Sequence, residues 1–167
     1  MARVLAVLAC AALAAGCGAA SENEEPAAKA PAADVQLLGG GKAAFQQKLR
    51  ELKGKPVVVN KWASWCPPCR AEFPFFSTQA KKRAGRVAFL GVDAQDVESD
   101  AREFLREEPV PYPSYSDPDQ EIAGLFNGKV SFPATAFYDS KGKLVYLKQG
   151  GYASESKLSE DIGRYAR

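Results

Sequence analysis

The stretch Val57-Val58-Val59-Asn60-Lys61-Trp62-Ala63-Ser64-Trp65-Cys66-Pro67-Pro68-Cys69-Arg70 decides how the rest of the chain is read. Its first six residues are mostly apolar and β-branched, which suits a central strand of a parallel or mixed sheet, buried on both faces. Pro67 begins a helix. A C-x-x-C at a strand-to-helix junction is a redox arrangement. The first cysteine stands at the helix's N-terminal end, where free N–H groups and the dipole favour a thiolate. The second follows about one turn later, close enough to close a small disulfide. Cys66 can then attack a substrate disulfide, and Cys69 can resolve the mixed disulfide. Two plainer readings compete. A structural zinc site needs four ligands, and neither a second C-x-x-C nor any histidine supplies them. An inert structural disulfide occurs outside the cytosol, although so small a ring constrains the unfolded chain very little.

Downstream, Phe73, Phe76 and Ala80 share one face of the helix that Pro67 opens. Pro74 lies inside it and is expected to kink it. Lys81, Lys82 and Arg83 suit its C-terminal end as a solvated basic turn, and Gly85 stops it. Residues 87–92 read as another buried strand. Ala101, Phe104 and Leu105 mark a third helix that ends before Pro109. Residues 110–116 form a short strand between turns. Asp117-Pro118-Asp119-Gln120 predicts a helix start with Asp117 as N-cap, Pro118 at the first position and Gln120 closing a capping box. Ile122, Leu125 and Phe126 supply that helix's apolar face. Residues 134–138 and 144–147 read as two strands around Asp139-Ser140-Lys141-Gly142, a hairpin. Leu158, Ile162 and Tyr165 mark a final helix that Ser154 can cap.

Upstream, Phe45, Leu49 and Leu52 follow helical spacing over residues 41–53, closed by Gly54 and Pro56. The order is α-β-α-β-α-β-α-β-β-α. Parallel βα units, then a hairpin and a last helix, predict an α/β sandwich around one sheet.

The N-terminus has a different character. Met1-Ala2-Arg3 is a positive head, and Val4 to Ala15 is an unbroken apolar run too short to span a bilayer comfortably. Small residues close it, as in a secretory signal. The alternative is a buried N-terminal helix, but the run has no polar face. Residues 18–33 are rich in alanine, with Glu22, Glu24, Glu25, Pro26 and Pro31 among them, and read as a tether with an r.m.s. span of roughly 20–25 Å. A globular domain is expected over 34–167.

Composition narrows the functions. With 46% apolar residues, a core needs no disulfide scaffold. A formal charge of +2 gives no electrostatic case for nucleic acid. The chain has no histidine. That removes Ser-His-Asp and Cys-His nucleophiles and every His-ligated metal site. Cys10, Cys17, Cys66 and Cys69 remain as the reactive inventory.

Two resemblances follow from these residues. Leu13-Ala14-Ala15-Gly16-Cys17 resembles a bacterial lipoprotein box. The resemblance implies that residues 1–16 are a signal peptide, that Cys17 is lipidated and becomes the N-terminus, and that Cys10 leaves with the signal. Two acyl chains meet the condition for stable anchoring. The second resemblance is carried by Lys55 to Asn60, Trp62 to Arg70, Glu72-Phe73-Pro74, Gly91-Val92-Asp93 and Phe132-Pro133-Ala134-Thr135. Together these resemble the thioredoxin superfamily, closest to its membrane-anchored TlpA/ResA-like branch, which includes the DsbE/CcmG type. The likeness spans 34–167 and implies a thioredoxin-like sandwich: a central mixed β-sheet flanked by helices, with an inserted helix and strand between Val92 and Pro133.

The resemblance implies a thiol-disulfide oxidoreductase with no cofactor and no metal. Cys66 would be the exposed nucleophile, Cys69 the buried resolving thiol, and Pro67 and Pro68 the active-site dipeptide. Pro133 would be a cis-proline facing the disulfide, whose neighbouring backbone pairs with substrate and which keeps metal ions off the thiols. Trp65 and Phe132 would flank the substrate. Glu72 matches an acidic residue that moves protons to and from the thiols; its plainer reading is a solvated helix glutamate. Asn60 stands where plain thioredoxins keep a buried aspartate. Lys61 departs from the family pattern, which has an apolar residue there. A lysine in a central strand must snorkel, pair or lower its pKa; it either pairs with a surface acid or points toward the active-site end and supports the Cys66 thiolate.

Neither Pro67 nor Pro68 has an N–H, so two donors that could face Cys66 are missing. A less stabilised thiolate makes a less oxidising couple, which favours a reductant. The expected clients are disulfide-containing exported proteins, among them apocytochrome c, with a membrane thiol carrier as electron donor. The expected location is extracytoplasmic, on the membrane through the lipid, as a monomer. A disulfide-forming oxidant and a non-catalytic lipid-anchored binding module stay open as alternatives. A thiol peroxidase lacks its usual sequence pattern here, and a copper-delivery protein would want a histidine ligand.

Overall fold

The computed structural model describes residues 36–167. The expected signal, Cys17 and tether lie outside the described residues. Six strands form one sheet: β1 (Leu37–Leu38), β2 (Val57–Trp62), β3 (Ala88–Ala94), β4 (Ser114–Asp117), β5 (Ala134–Tyr138) and β6 (Leu144–Gln149). Five helices connect them: α1 (Gly41–Glu51), α2 (Pro67–Lys82), α3 (Glu98–Glu107), α4 (Glu121–Gly124) and α5 (Glu155–Tyr165). The sheet order is β1-β4-β3-β2-β5-β6. The pairs β1–β4, β4–β3 and β3–β2 are parallel, and β2–β5 and β5–β6 antiparallel. This is the expected mixed sheet flanked by helices.

Alternation along β2 sorts the core. Val57 and Val59 face Phe45 of α1, Ile122 of α4 and Leu90, Val92 and Phe126. Val58 faces Phe76 of α2 and Leu158 and Ile162 of α5. Trp62, at the C-terminal end of β2, packs on Phe73 of α2 and Phe104 of α3, with ring centroids 5.0 and 5.5 Å away. Its indole N–H donates to Ser114 Oγ at 3.2 Å. That contact needs a glycine beside it: a Cβ on Gly91 would lie 2.0 Å from Ser114 Oγ and 3.0 Å from the indole nitrogen. The floor under the C-x-x-C is therefore built from β2, β3 and β4 together.

Several local expectations hold. α2 begins at Pro67 and runs on through Pro74. Ser154 caps α5, accepting from the Lys157 N–H at 3.4 Å. The start of α4 differs. Asp117 is the last residue of β4, paired in register with Ala94, so no helix can begin at Pro118. The N-cap is Gln120, in the left-handed region at φ 56°. Asp117 still serves the helix, from the strand end, because its carboxylate accepts from the N–H groups of Ile122 and Ala123, each at 2.9 Å. Gln120 closes no capping box; its side chain accepts from Lys61 instead. β1 was not expected. It is two residues long, too short to show a period.

Candidate active site

Cys66 is the N-cap of α2, with extended backbone, and Pro67 and Pro68 fill the first two helical positions. Cys66 and Cys69 form a disulfide with their Cα atoms 5.3 Å apart. The Cys69 N–H reaches Cys66 Sγ at 3.2 Å. With two prolines ahead of it, it is the first N–H the helix can offer that sulfur. Cys69 is fully buried, as expected. Cys66 is not the exposed residue that the resemblance implied: it is 2% exposed. It sits in the cluster of Trp62, Ala63 and Phe73, and Phe132 packs against that cluster. The exposed residues at the junction are Trp65, at 54%, and Pro67, Pro68 and Arg70 beside the pair.

Two loops frame the pair. On one side Trp65 donates its indole N–H to Gln95 O at 2.8 Å. Asp96 accepts from the Ser64 N–H and from Ser64 Oγ, and caps its own neighbour, Val97 N–H. The turn after β3 thus holds the Ser64-Trp65 turn in place. Sequence reading missed Asp96; an acid five residues before a helix's first hydrophobic position, Ala101, was the available clue. On the other side the Phe132–Pro133 peptide is cis. The Phe132 ring lies 4.8 Å from Trp65. Ser131 Oγ donates to Pro133 O at 2.8 Å, and the Gly150 N–H donates to both Pro133 O and Ser131 Oγ.

Glu72 lies one helical turn beyond Cys69 on α2, the spacing that places two side chains on one face. It is fully buried, so the solvated reading fails. Its Oε2 accepts from the Tyr152 N–H at 2.9 Å, and its Oε1 has no partner. Burial pushes its carboxyl up to about 8, against the pull of the Tyr152 N–H and the Lys148 charge. Oε2 and Pro133 Cγ both lie 3.5 Å from where a Gly151 Cβ would stand, so Gly151 is bordered by the carboxyl and by the proline. Asn60 and Thr135 face each other across β2 and β5, buried, with side-chain polar atoms that no protein group bonds. Asp93, at the end of β3, is a second buried acid. Burial, and then the charges of Asp96, Asp117 and Glu98, push it up to about 8.

Among the described residues Lys61 pairs with no surface acid. It is fully buried. Its ammonium donates to Gln120 Oε1 at 2.9 Å, Gly128 O at 2.8 Å and Ser131 O at 3.1 Å, three neutral oxygens. It also lies 3.6 Å from the centre of the Phe132 ring. Burial pulls it down to about 8, opposed by the Asp117 charge.

The Redoxin family matches residues 25–162. The thiol-disulfide oxidoreductase ResA of Bacillus thuringiensis (strain Al Hakam) is 30% identical over 59% of this chain. The chain spans 57% of that protein's length. The thiol:disulfide interchange protein DsbE homolog of Paracoccus denitrificans is 33% identical, over 76% of this chain and 68% of that protein. Among solved structures, the exposed lipoprotein thioredoxin of Streptococcus pneumoniae strain TIGR4 superposes with a TM-score of 0.61. It is 27% identical and covers 70% of this chain and 89% of its own. The chain belongs to the Redoxin family, in the ResA/DsbE-type branch of the thioredoxin superfamily.

Proposed function

We propose that this redoxin-family chain is an extracytoplasmic thiol-disulfide oxidoreductase that reduces disulfides in exported proteins. The observation that carries this is the Cys66–Cys69 pair at the first turn of α2, with the cis-Pro133 loop and Trp65 beside it. In the reduced enzyme the Cys66 thiolate attacks one sulfur of a client disulfide. A Cys66–client bond forms, the client S–S bond breaks, and the first client thiolate leaves. Cys69, once deprotonated, attacks Cys66 Sγ. That closes the Cys66–Cys69 disulfide and releases the second client thiolate. Two electrons pass to the client, and its two thiolates take up two protons. Glu72, one helical turn from Cys69, is the proposed relay that exchanges the Cys69 proton with its surroundings. A membrane thiol donor returns the electrons. Apocytochrome c, with its paired haem-binding cysteines, is one client class.

The structure supports the reductant over the oxidant. A single first-turn N–H faces Cys66 Sγ, and no histidine adds positive charge. The test is reduction of insulin disulfides by the full chain with dithiothreitol as donor. Acceleration well above dithiothreitol alone is expected. No acceleration would contradict the activity and favour a binding module.

Residues 1–16 are, in this reading, a lipoprotein signal, Cys17 the lipidated N-terminus and 18–33 the tether, with the folded domain acting as a monomer near the membrane. Among the described residues no helix is long and apolar enough to cross a membrane. Mass spectrometry of the membrane fraction should find a chain that begins at Cys17 and carries a diacylglyceryl group. An unmodified Cys17 behind an intact Met1 would remove this part.

A further inference from the structure

The connection from Asn127 to Pro133 has no helix or strand of its own. It nevertheless carries the groups that the proposed reaction needs held still. Phe132 packs beside the cysteines, the cis peptide to Pro133 follows it, and Val130 stands out at 89% exposure. Ser131 Oγ and the Gly150 N–H fasten the loop at its β5 end. Gln149 of β6 donates to Asn127 O at 3.5 Å, and from β2 Lys61 fastens the loop more closely. All three ammonium protons are used, two of them on loop carbonyls, those of Gly128 and Ser131. The third goes to Gln120 Oε1, at the start of α4. The same ammonium underlies the Phe132 ring, a cation–π contact.

This is an unusual use of a core position. Lys61 sits on the face of β2 that also carries Val57 and Val59. Burying an ammonium there is costly unless every proton is bonded. An apolar side chain would pack without that cost, but it would leave two loop carbonyls and an aromatic face without their donor. The lysine therefore makes sense through what it holds.

We propose that Lys61 is the positioning residue of the client-contacting loop: its ammonium fixes Gly128, Ser131 and Phe132, and so sets where a protein client meets the edge beside Cys66. This rests on the reductase reading above. It touches neither sulfur, so it acts on client binding and not on thiol chemistry.

The test is Lys61→Met in the full chain, with two disulfides as probes. Insulin needs the loop; hydroxyethyl disulfide is too small to engage it. The expected result is a KM for insulin raised fivefold or more, with kcat within twofold of wild type. The rate on hydroxyethyl disulfide and the equilibrium constant with dithiothreitol should both stay within twofold. Gln120→Asn is the second variant. It tolerates the left-handed backbone at that position, is one methylene too short to reach the ammonium, and is expected to raise the insulin KM about twofold. If Lys61→Met does not fold, Gln120→Asn alone decides. An unchanged insulin KM in the folded variants overturns the proposal. So does an equal loss on both probes, or a shifted equilibrium constant, since each would put the lysine's effect at the thiols. If the wild-type chain itself fails to reduce insulin, the reductase reading fails first and takes this inference with it.

Discussion

Cys66→Ala is expected to abolish insulin reduction by the full chain, a loss of at least about a thousandfold, because Cys66 is the thiol at the helix start that forms the mixed disulfide. Two features of the sequence make so large an effect the expectation. There is no histidine to activate a substitute nucleophile, and Cys69 is fully buried behind Cys66. Cys69→Ala should behave differently. Cys66 can still attack, but nothing within reach can displace the client from it, so turnover stops with the client covalently attached. A non-reducing gel after incubation with insulin separates the two: a stable adduct for Cys69→Ala, and none for Cys66→Ala. Cys66→Ala that keeps full activity would place the chemistry elsewhere. An adduct formed equally by both variants would reverse or dissolve the assignment of roles.

Glu72→Gln is expected to slow client reduction at pH 7 by on the order of a hundredfold, the usual worth of a placed general acid or base. The substitution is nearly isosteric. The amide oxygen keeps the Tyr152 N–H bond, and the surrounding packing is left alone. Glu72 holds its proton up to about 8, close to the working pH, which is where such a group moves protons best. The same burial sets a stability signature. An acid whose folded pKa is raised binds its proton more tightly in the native state. Its contribution is complete below the ordinary value of 4.5 and is lost as pH rises through about 8. Unfolding free energy should therefore fall across that window, by on the order of a few kcal/mol. Asp93, raised to about 8 from 3.8, adds a slope of the same sign. Glu72→Gln should remove one share of this slope and Asp93→Asn the other, as urea titrations at pH 5 and pH 8 would show. Glu72→Gln should thus be slower than wild type yet more stable relative to it at pH 8 than at pH 5. An unchanged rate would leave Glu72 a structural residue, and an unchanged slope would mean that it is ionised throughout.

Much of this could be read before any coordinates. The β-branched run at Val57–Val59 ends in a C-x-x-C, and that junction fixes strand, turn and helix at once. The long βα periods that follow come out as β3, α3, β5, β6 and α5. What escaped shares one physical cause, dependence on distant chain. The two-residue β1 exists because Gln36 O accepts from the Ser114 N–H, a pairing that no local pattern announces. Asp117 looked like an N-cap because its neighbours are Pro118 and Asp119. Pairing of its backbone with Ala94 overrode that local preference, and the carboxylate reached the helix from five residues back. The burial of Cys66 depends on Phe132, 66 positions away. Lys61 was visible as an anomaly within β2, but its partners come from residues 120, 128 and 131. In each case the residue type was informative and the partner was not.

The claim on which the rest depends is the direction of electron flow. It follows from the first turn of α2, where Pro67 and Pro68 withhold two donors and the Cys69 N–H alone reaches Cys66 Sγ. A thiolate so lightly stabilised is expected in a reducing couple, as proposed above. The measurement is the reduction potential of the Cys66–Cys69 pair, by equilibration against a thiol buffer. A value near the roughly −270 mV of thioredoxin is expected. A value near the roughly −120 mV of a strong oxidant would contradict it and make the chain a donor of disulfides.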